Sequence, residues 1–251
     1  MSQPDKIAIV TGGGRGIGAA VSRGLAEDGY SVIVNYATDG ASAGRVVDEI
    51  RKAGGQAFAI QADVSKEDDI LRMFSAIDNM PGRLAVLVNN GGITGGFARV
   101  EAISAQVLQK VFAVNVLGAF LCSREAVKRM STKRGGNGGS IVFLTSRAAQ
   151  LGGAGEWVHY AATKGAIDTL TTGLGKEVAL EGIRVNAVSA GLIETDLHAA
   201  AGAPDRTARL AATIPMGRAG TAREVAESIR WLVSPAAGYV TATTVAVAGG
   251  R

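Results

Sequence analysis

Short runs of aliphatic and β-branched residues recur along the chain at 7–10, 31–35, 57–60, 84–88, 140–144, 184–188 and 243–247. Longer stretches separate them, and there the apolar positions return with helical spacing. These stretches predict helices at 16–28, 41–52, 67–79, 104–130, 158–180 and 221–233. Near-continuous apolar runs suit strands covered on both faces. Regular alternation of strand and helix predicts an α/β fold: a doubly wound, seven-stranded parallel sheet with right-handed crossovers and helices on both faces. The rhythm runs through 1–251 without a repeat or a linker, so one domain is expected, and 135–139 reads as a surface loop. The segment 191–214 is longer than an ordinary βα connection and is predicted to be a substrate lid.

Composition narrows the picture. The chain has 251 residues, 47% of them hydrophobic, with 35 glycines and few aromatics. That balance suits aliphatic strands and tight turns. Cys122 is the single cysteine, which rules out an intrachain disulfide, and two histidines are too few for an ordinary zinc site. No metal is expected. The first residues lack an apolar core of the secretory type, and no apolar run approaches membrane-spanning length. A soluble, cytoplasmic protein with no membrane partner is the expectation. The net charge is +4, but the basic residues are dispersed. Dispersed charge argues against a nucleic-acid partner and is compatible with an anionic cofactor.

Two motifs carry chemistry. The first follows the first strand and reads Thr-Gly-Gly-Gly-Arg-Gly-Ile-Gly at 11–18. Gly12, Gly14, Gly16 and Gly18 let the backbone approach a pyrophosphate, with Arg15 and Ile17 beside it, and the following helix N-terminus favours the negative charge. The second is Tyr160-Ala-Ala-Thr-Lys164. Residues four apart share a helix face, so Lys164 is expected beside the phenol, lowering it from about 10 and making Tyr160 a general acid or base. His159 is read as structural, because helix geometry turns it away from Tyr160. Cys122 is read as core, and His198 lies in the lid.

The second strand ends at Tyr36, followed by Ala37 and Thr38, where a site selective for NAD(H) places an acid for the ribose 2′-hydroxyl. Asp39 is expected to lie too far along the loop. The missing acid and the Arg15 guanidinium predict a preference for NADP(H), with NAD(H) still possible.

Together, the turn at 11–18, Asn89-Asn90-Gly91-Gly92 after the fourth strand, Asn115, Ser146 after the fifth and Tyr160-x-x-x-Lys164 resemble the short-chain dehydrogenase/reductase family, over essentially the whole chain. The resemblance implies a single-domain Rossmann fold, a homotetramer and hydride transfer between the nicotinamide and a small-molecule carbonyl or alcohol substrate. Tyr160 would exchange the proton, Ser146 would bind the substrate oxygen, Lys164 would hold the nicotinamide ribose, and Asn115 would hold a relaying water. Asp63 with Val64, Asn89 and Gly91 would border the adenosine, while Gly191, Ile193 and Thr195 would reach the nicotinamide. Similar members include glucose 1-dehydrogenases and 3-oxoacyl-acyl-carrier-protein reductases. A sugar dehydrogenase using NAD(P) and a catalytically silent dinucleotide sensor remain open alternatives; a sugar-nucleotide epimerase would need a longer C-terminal portion. The chain departs from the family pattern at Gly91-Gly92, Ala190, Ala242 and Ala248. The Ala-rich lid argues mildly against a highly charged substrate.

Overall fold

A computed structural model describes residues 6–196, 199 and 201–251. Seven parallel strands form the main sheet: β1 (Lys6–Val10), β2 (Ser31–Tyr36), β3 (Gln56–Gln61), β4 (Arg83–Asn89), β5 (Gly139–Ser146), β6 (Ile183–Ala190) and a last strand, Thr243–Val247. Two short strands, β7 (Ile193–Glu194) and β8 (Gly220–Thr221), pair apart from it, so the last strand is β9. The order is β3-β2-β1-β4-β5-β6-β9. It reverses between β1 and β4, and the crevice beyond the carboxyl ends of strands at such a reversal is where ligands bind in open α/β sheets.

Alternation along β1 shows how both faces are covered. Ile7 and Ile9 join one core cluster, Ala8 and Val10 the other, because successive side chains leave a strand on opposite sides. On the Ala8 side lie α1 (Gly16–Glu27), α2 (Gly40–Lys52) and the late helix Ala222–Val233, through Val21, Leu25, Ile50 and Ile229. On the Ile9 side lie α3 (Glu67–Asp78), the run from Ala105 to Met130, and Val158–Glu177, through Phe74, Cys122, Ala126 and Ile167.

The expected helix at 104–130 has internal structure. It comprises α4 (Ala105–Phe112), one wide π turn at Ala113–Leu117, and α5 (Gly118–Met130). By length and composition alone it is apolar enough to cross a membrane, its mean hydropathy reaching 1.5 over an 18-residue window, as the core helix of an α/β domain also can be. Lys110 and the buried Asn115 interrupt it, and its inner face packs on the sheet. Leu108, Phe112, Leu117 and Phe120 stay exposed on the outer face.

A short helix, α6 (Ala148–Leu151), precedes α7 (Val158–Glu177); α8 (Arg206–Leu210) lies within the predicted lid, and α9 is Ala222–Val233. Thr221 caps α9 reciprocally with Glu224. His198 lies outside the described residues. The backbone at two of the atypical positions, Ala242 and Ala248, is notable. Ala242 has φ +59°, a left-handed conformation that glycine adopts more readily. A Cβ on Gly191 would come within 2.7 Å of the Ala248 backbone, so that glycine is needed for close approach.

Candidate active site

The turn at the end of β1 is built for a backbone approach. Gly12 and Gly16 have φ +61° and +49°. A Cβ on Gly18 would lie 2.3 Å from the Gly12 carbonyl and 2.5 Å from Asn90 Nδ2. Gly14 is packed against the Ala43 backbone of α2. α1 has no side-chain cap at Arg15 and no acid in its first turn. Its leading N–H groups, at Ile17 and Gly18, are therefore open to an anion, and the helix dipole favours one. This cradle fits the pyrophosphate of a dinucleotide.

Asn90 is the residue that the sequence reading left without a role. Its Nδ2 donates to the carbonyls of Thr11 and Gly12 at 2.9 and 3.1 Å, and its N–H and that of Gly91 donate to Thr11 Oγ1. It fastens the end of β4 to the glycine turn. Asn89, by contrast, turns its amide inward to Ser123 Oγ at 3.1 Å. Asp63 Oδ1 accepts from the N–H and hydroxyl of Ser65, and the Asp63 N–H donates to Asp69. Val64 presses its carbonyl against Gly118 of α5.

At the end of β2, the Tyr36 ring lies over Gly40, Ala37 O accepts from Gln61 and Thr38 O from the Gly40 N–H. Asp39 lies at the start of α2, beyond the end of β2. Its carboxylate caps α2 through the N–H and hydroxyl of Ser42, and Arg15 Nε stands 3.9 Å away. Those Ser42 hydrogen bonds first, and the Arg15 and Arg45 cations after them, hold Asp39 below the usual carboxylate range.

Ser146, Tyr160 and Lys164 converge beyond the ends of β5 and β6. Tyr160 is buried and shares one cleft wall with Ser146, whose Oγ accepts from the Ala148 N–H at 3.1 Å. Lys164 Nζ lies 5.6 Å from the centre of the Tyr160 ring and donates to the Leu144 carbonyl at 2.6 Å. The expectation that Lys164 lowers the phenol is corrected in this geometry. Burial pushes Tyr160 up to about 12, with only the Ser146 hydrogen bond opposing it. Burial also pushes Lys164 down to about 8, against the pull of Asp168. Both shifts follow from the cost of a charge away from water, which exceeds what the ammonium offers the phenolate while Nζ faces Leu144.

Asn115 sits in the π turn and clips Ile93 in both directions, each hydrogen bond 2.8 Å long, with a further 3.0 Å bond to Thr163 Oγ1. A cavity of about 10 Å³ touches Asn115, Lys164, Gly91 and Cys122, close to the space of one water. Cys122 is fully buried and its thiol is pushed up to about 12, the state of a core residue. His159 is buried with Nε2 against Gly95, off the Tyr160 face.

The main cleft, about 350 Å³, runs from Ile17 and Thr195 past Ser146 and Tyr160 to Trp157 and Arg206. Gly191 and Ile193 line it as expected, and Leu144, Leu151 and Leu192 add apolar wall. Its charges are Arg147, Arg206, Arg251 and Glu156. Only Arg206 belongs to the lid, so lid composition did not describe the cleft's polarity. Arg206 is buried, pairs with both oxygens of Glu156, and lies over the Phe97 and Trp157 rings, which stack at 4.7 Å. Among the described residues no cluster of His, Cys, Asp and Glu is set to hold a metal.

Comparison with known proteins agrees with this arrangement. A family model described as enoyl-(acyl carrier protein) reductase matches residues 12–251. The chain is 52% identical over 245 residues to the uncharacterized oxidoreductase YgfF of Escherichia coli, covering 98% of this chain and 99% of that one. It is 37% identical over 246 residues to the 3-oxoacyl-[acyl-carrier-protein] reductase FabG of Staphylococcus epidermidis, covering 98% of each. A short-chain dehydrogenase from Burkholderia cenocepacia, solved in complex with NADP, superposes with a TM-score of 0.89 at 29% identity, covering 99% of this chain and 98% of that one. The chain belongs to the short-chain dehydrogenase/reductase family of nicotinamide-dependent oxidoreductases.

Proposed function

We propose that the protein reduces a carbonyl substrate, or oxidises the corresponding secondary alcohol, using NADP(H) in preference to NAD(H), with Tyr160 as the general acid or base. The observation that carries this reading is the meeting of Ser146 and Tyr160 on the wall of a cleft that begins at the glycine turn. The cofactor supplies the hydride. The residues of the chain do the rest. The turn 12–18 and the α1 N-terminus bind the pyrophosphate, and Lys164 holds the ribose. Ser146 and Tyr160 face the oxygen on which negative charge grows, and preorganised donors there lower the barrier. Tyr160 gives its proton to that oxygen. The small cavity beside Asn115 and Lys164 has room for a water that returns a proton from solvent.

A 3-oxoacyl thioester is the first substrate class to examine, given the likeness to FabG. The apolar wall formed by Leu144, Leu151 and Leu192 suits an acyl chain. The test is NADPH and NADH oxidation with β-ketoacyl thioesters, ketones and quinones, and NADP+ reduction with sugars. Turnover confined to sugars would overturn the carbonyl-reductase reading. No turnover with any of these, together with no binding of either cofactor, would favour neither enzyme.

The exposed apolar stripe of Leu108, Phe112 and Phe120 on α4 and α5 supports assembly as a homotetramer, since apolar faces of this kind seek a partner. Segment 191–214 acts as a lid over the nicotinamide, with Arg206 as its anchor on Glu156.

A further inference from the structure

Arg206 keeps one donor without an acceptor. The residue is buried, and its two terminal nitrogens are spent on the Glu156 carboxylate, at 2.8 and 2.6 Å. Its Nε is buried as well and has no hydrogen-bond partner. The Trp157 and Phe97 rings, 4.6 and 5.3 Å from the guanidinium carbon, favour its charge but offer the N–H no oxygen or nitrogen acceptor. A buried donor left in this state costs stability. The cost is explained if an acceptor arrives with a ligand.

Arg206 lines the same cleft as Ser146 and Tyr160. Trp157 joins them: its ring lies against the guanidinium, and its centre is 5.4 Å from that of the Tyr160 ring. One small molecule can therefore reach both the phenol and the open Nε–H. The other charges on the cleft favour an anion. Arg147 and Arg251 add further cations, and Glu156, the one acid of the lining among the described residues, has both oxygens engaged by Arg206. Glu156 holds the guanidinium by its end, which leaves the side edge, Nε with a neighbouring terminal nitrogen, as a flat fork of the kind that matches a carboxylate. The separation across one indole is short. The acid thus belongs to the substrate's own skeleton and is not a phosphate on a long carrier arm.

We propose that the Nε edge of Arg206 is a subsite for a carboxylate, and that the substrate is a small oxo acid, or the matching hydroxy acid, whose carbonyl meets Ser146 and Tyr160 while its carboxylate lies beyond Trp157 on Arg206. This rests on the reading of the protein as a carbonyl reductase working through Tyr160. In the reductive direction the carbonyl carbon accepts the hydride of NADPH and its oxygen accepts the Tyr160 proton, leaving the hydroxy acid and NADP+. A thioester or ester of the same oxo acid has lost the carboxylate, so the free acid is the better substrate.

NADPH oxidation is followed with 4-oxopentanoate and 5-oxohexanoate and with their methyl esters, in the unaltered protein and in its R206Q and E156Q variants. The kcat/KM of the unaltered protein is expected to favour an acid over its ester by about 10-fold or more, the worth of one charge-assisted contact. R206Q should bring the acid down to the level of the ester. E156Q weakens the same tie between lid and loop but keeps the cation, so it should lower acid and ester alike and preserve the preference. Equal handling of acid and ester by the unaltered protein overturns the proposal, as does an R206Q variant that loses both in the same proportion. Calorimetric titration of 4-oxopentanoate and its methyl ester into the NADP+-loaded protein separates this proposal from the reading beneath it, and it needs no variant should R206Q fail to fold. An acid that binds better than its ester, with turnover of neither, keeps the subsite and removes the carbonyl-reductase reading. An acid that binds no better than its ester removes the subsite, whatever the turnover.

Discussion

The carboxylate of Glu156 accepts two hydrogen bonds from the Arg206 guanidinium, at 2.8 and 2.6 Å, and so ties α8 to the loop just before α7. The side chain of Arg206 is only 7% exposed, while that of Glu156 is 41% exposed. Removing the cation therefore leaves a carboxylate that water can still reach. Arg206→Ala should lower stability by about 1–2 kcal/mol in urea unfolding, less than the loss from a fully buried pair. The larger effect should be local, with faster hydrogen exchange across 206–214 and a raised KM. Arg206 holds Glu156 below the usual carboxylate range, mainly through the hydrogen bonds. The pair's contribution is present above the ordinary glutamate pKa and is lost as pH falls through the lowered one.

Tyr160→Phe keeps the ring packed against Trp157, whose centre lies 5.4 Å away, and removes only the hydroxyl. Turnover should fall by the roughly 10²–10⁴-fold expected for a lost general acid, while NADPH affinity and melting temperature change little. Single-turnover hydride transfer with the best substrate of the screen checks this. Near-normal rates in the folded variant would remove Tyr160 from the mechanism.

The strands were readable because buried parallel strands leave short apolar runs that little else in a soluble chain imitates. The glycine turn was readable because its backbone at Gly12, Gly16 and Gly18 tolerates almost no side chain. The position of Tyr160 beside Ser146 was readable from spacing and resemblance, but the phenol's proton affinity was not. It depends on burial and on which way Lys164 Nζ points, and sequence spacing states neither. Asn89 and Asn90 are neighbours of identical chemistry, so only strand register decides that Asn90 clasps the turn while Asn89 faces the core. Arg206 and Glu156 lie 50 residues apart, and no local pattern joins them.

Burial of Lys164 and Tyr160 makes stability depend on pH in two opposite windows. Lys164, lowered to about 8, binds fewer protons folded than unfolded between there and its ordinary value of 10.5, so stability rises with pH across that interval. Tyr160, raised to about 12 from 10.0, keeps its proton longer when folded, so stability falls as pH climbs between those values. Lys164→Met should remove the rise and leave the fall, as read from urea midpoints at a series of pH values. An unchanged rise in that variant would locate the effect elsewhere.

Phe112 and Phe120 are 41% and 49% exposed on one face of the α4–α5 run. If that face is covered by further copies of the chain, Phe120→Asp places a charge in an apolar interface and should dissociate the assembly. Light scattering at micromolar concentration is expected to give a tetramer for the unaltered protein and a smaller species for the variant. A monomer in both cases would leave the stripe unexplained by self-association.

Preference for NADP(H) turns on what faces the adenosine ribose at the end of β2. Tyr36 stands where an acid would bind the 2′-hydroxyl, and Asp39 is close enough to Arg15 to complicate the argument. A carboxylate there would repel a 2′-phosphate. Yet Asp39 is engaged twice by Ser42 as the α2 cap, and Arg45 donates to the Ser42 hydroxyl at 2.6 Å. Two guanidinium groups thus surround one carboxylate already committed to a helix end. Arg15 is 65% exposed on its side chain and only loosely paired at 3.9 Å, so it can swing to a phosphate and gain a charge-assisted, two-pronged contact. Arg15→Ala should therefore weaken NADPH by about 10-fold or more while leaving NADH nearly unaffected, in line with the loss of one such contact. Tyr36→Asp should reverse the order by adding the 2′-hydroxyl acceptor and the repulsion together. Dissociation constants for both cofactors in the three proteins decide it. A starting preference for NADH, or a Tyr36→Asp variant whose preference does not move, would show that Asp39 rather than Arg15 governs the ribose.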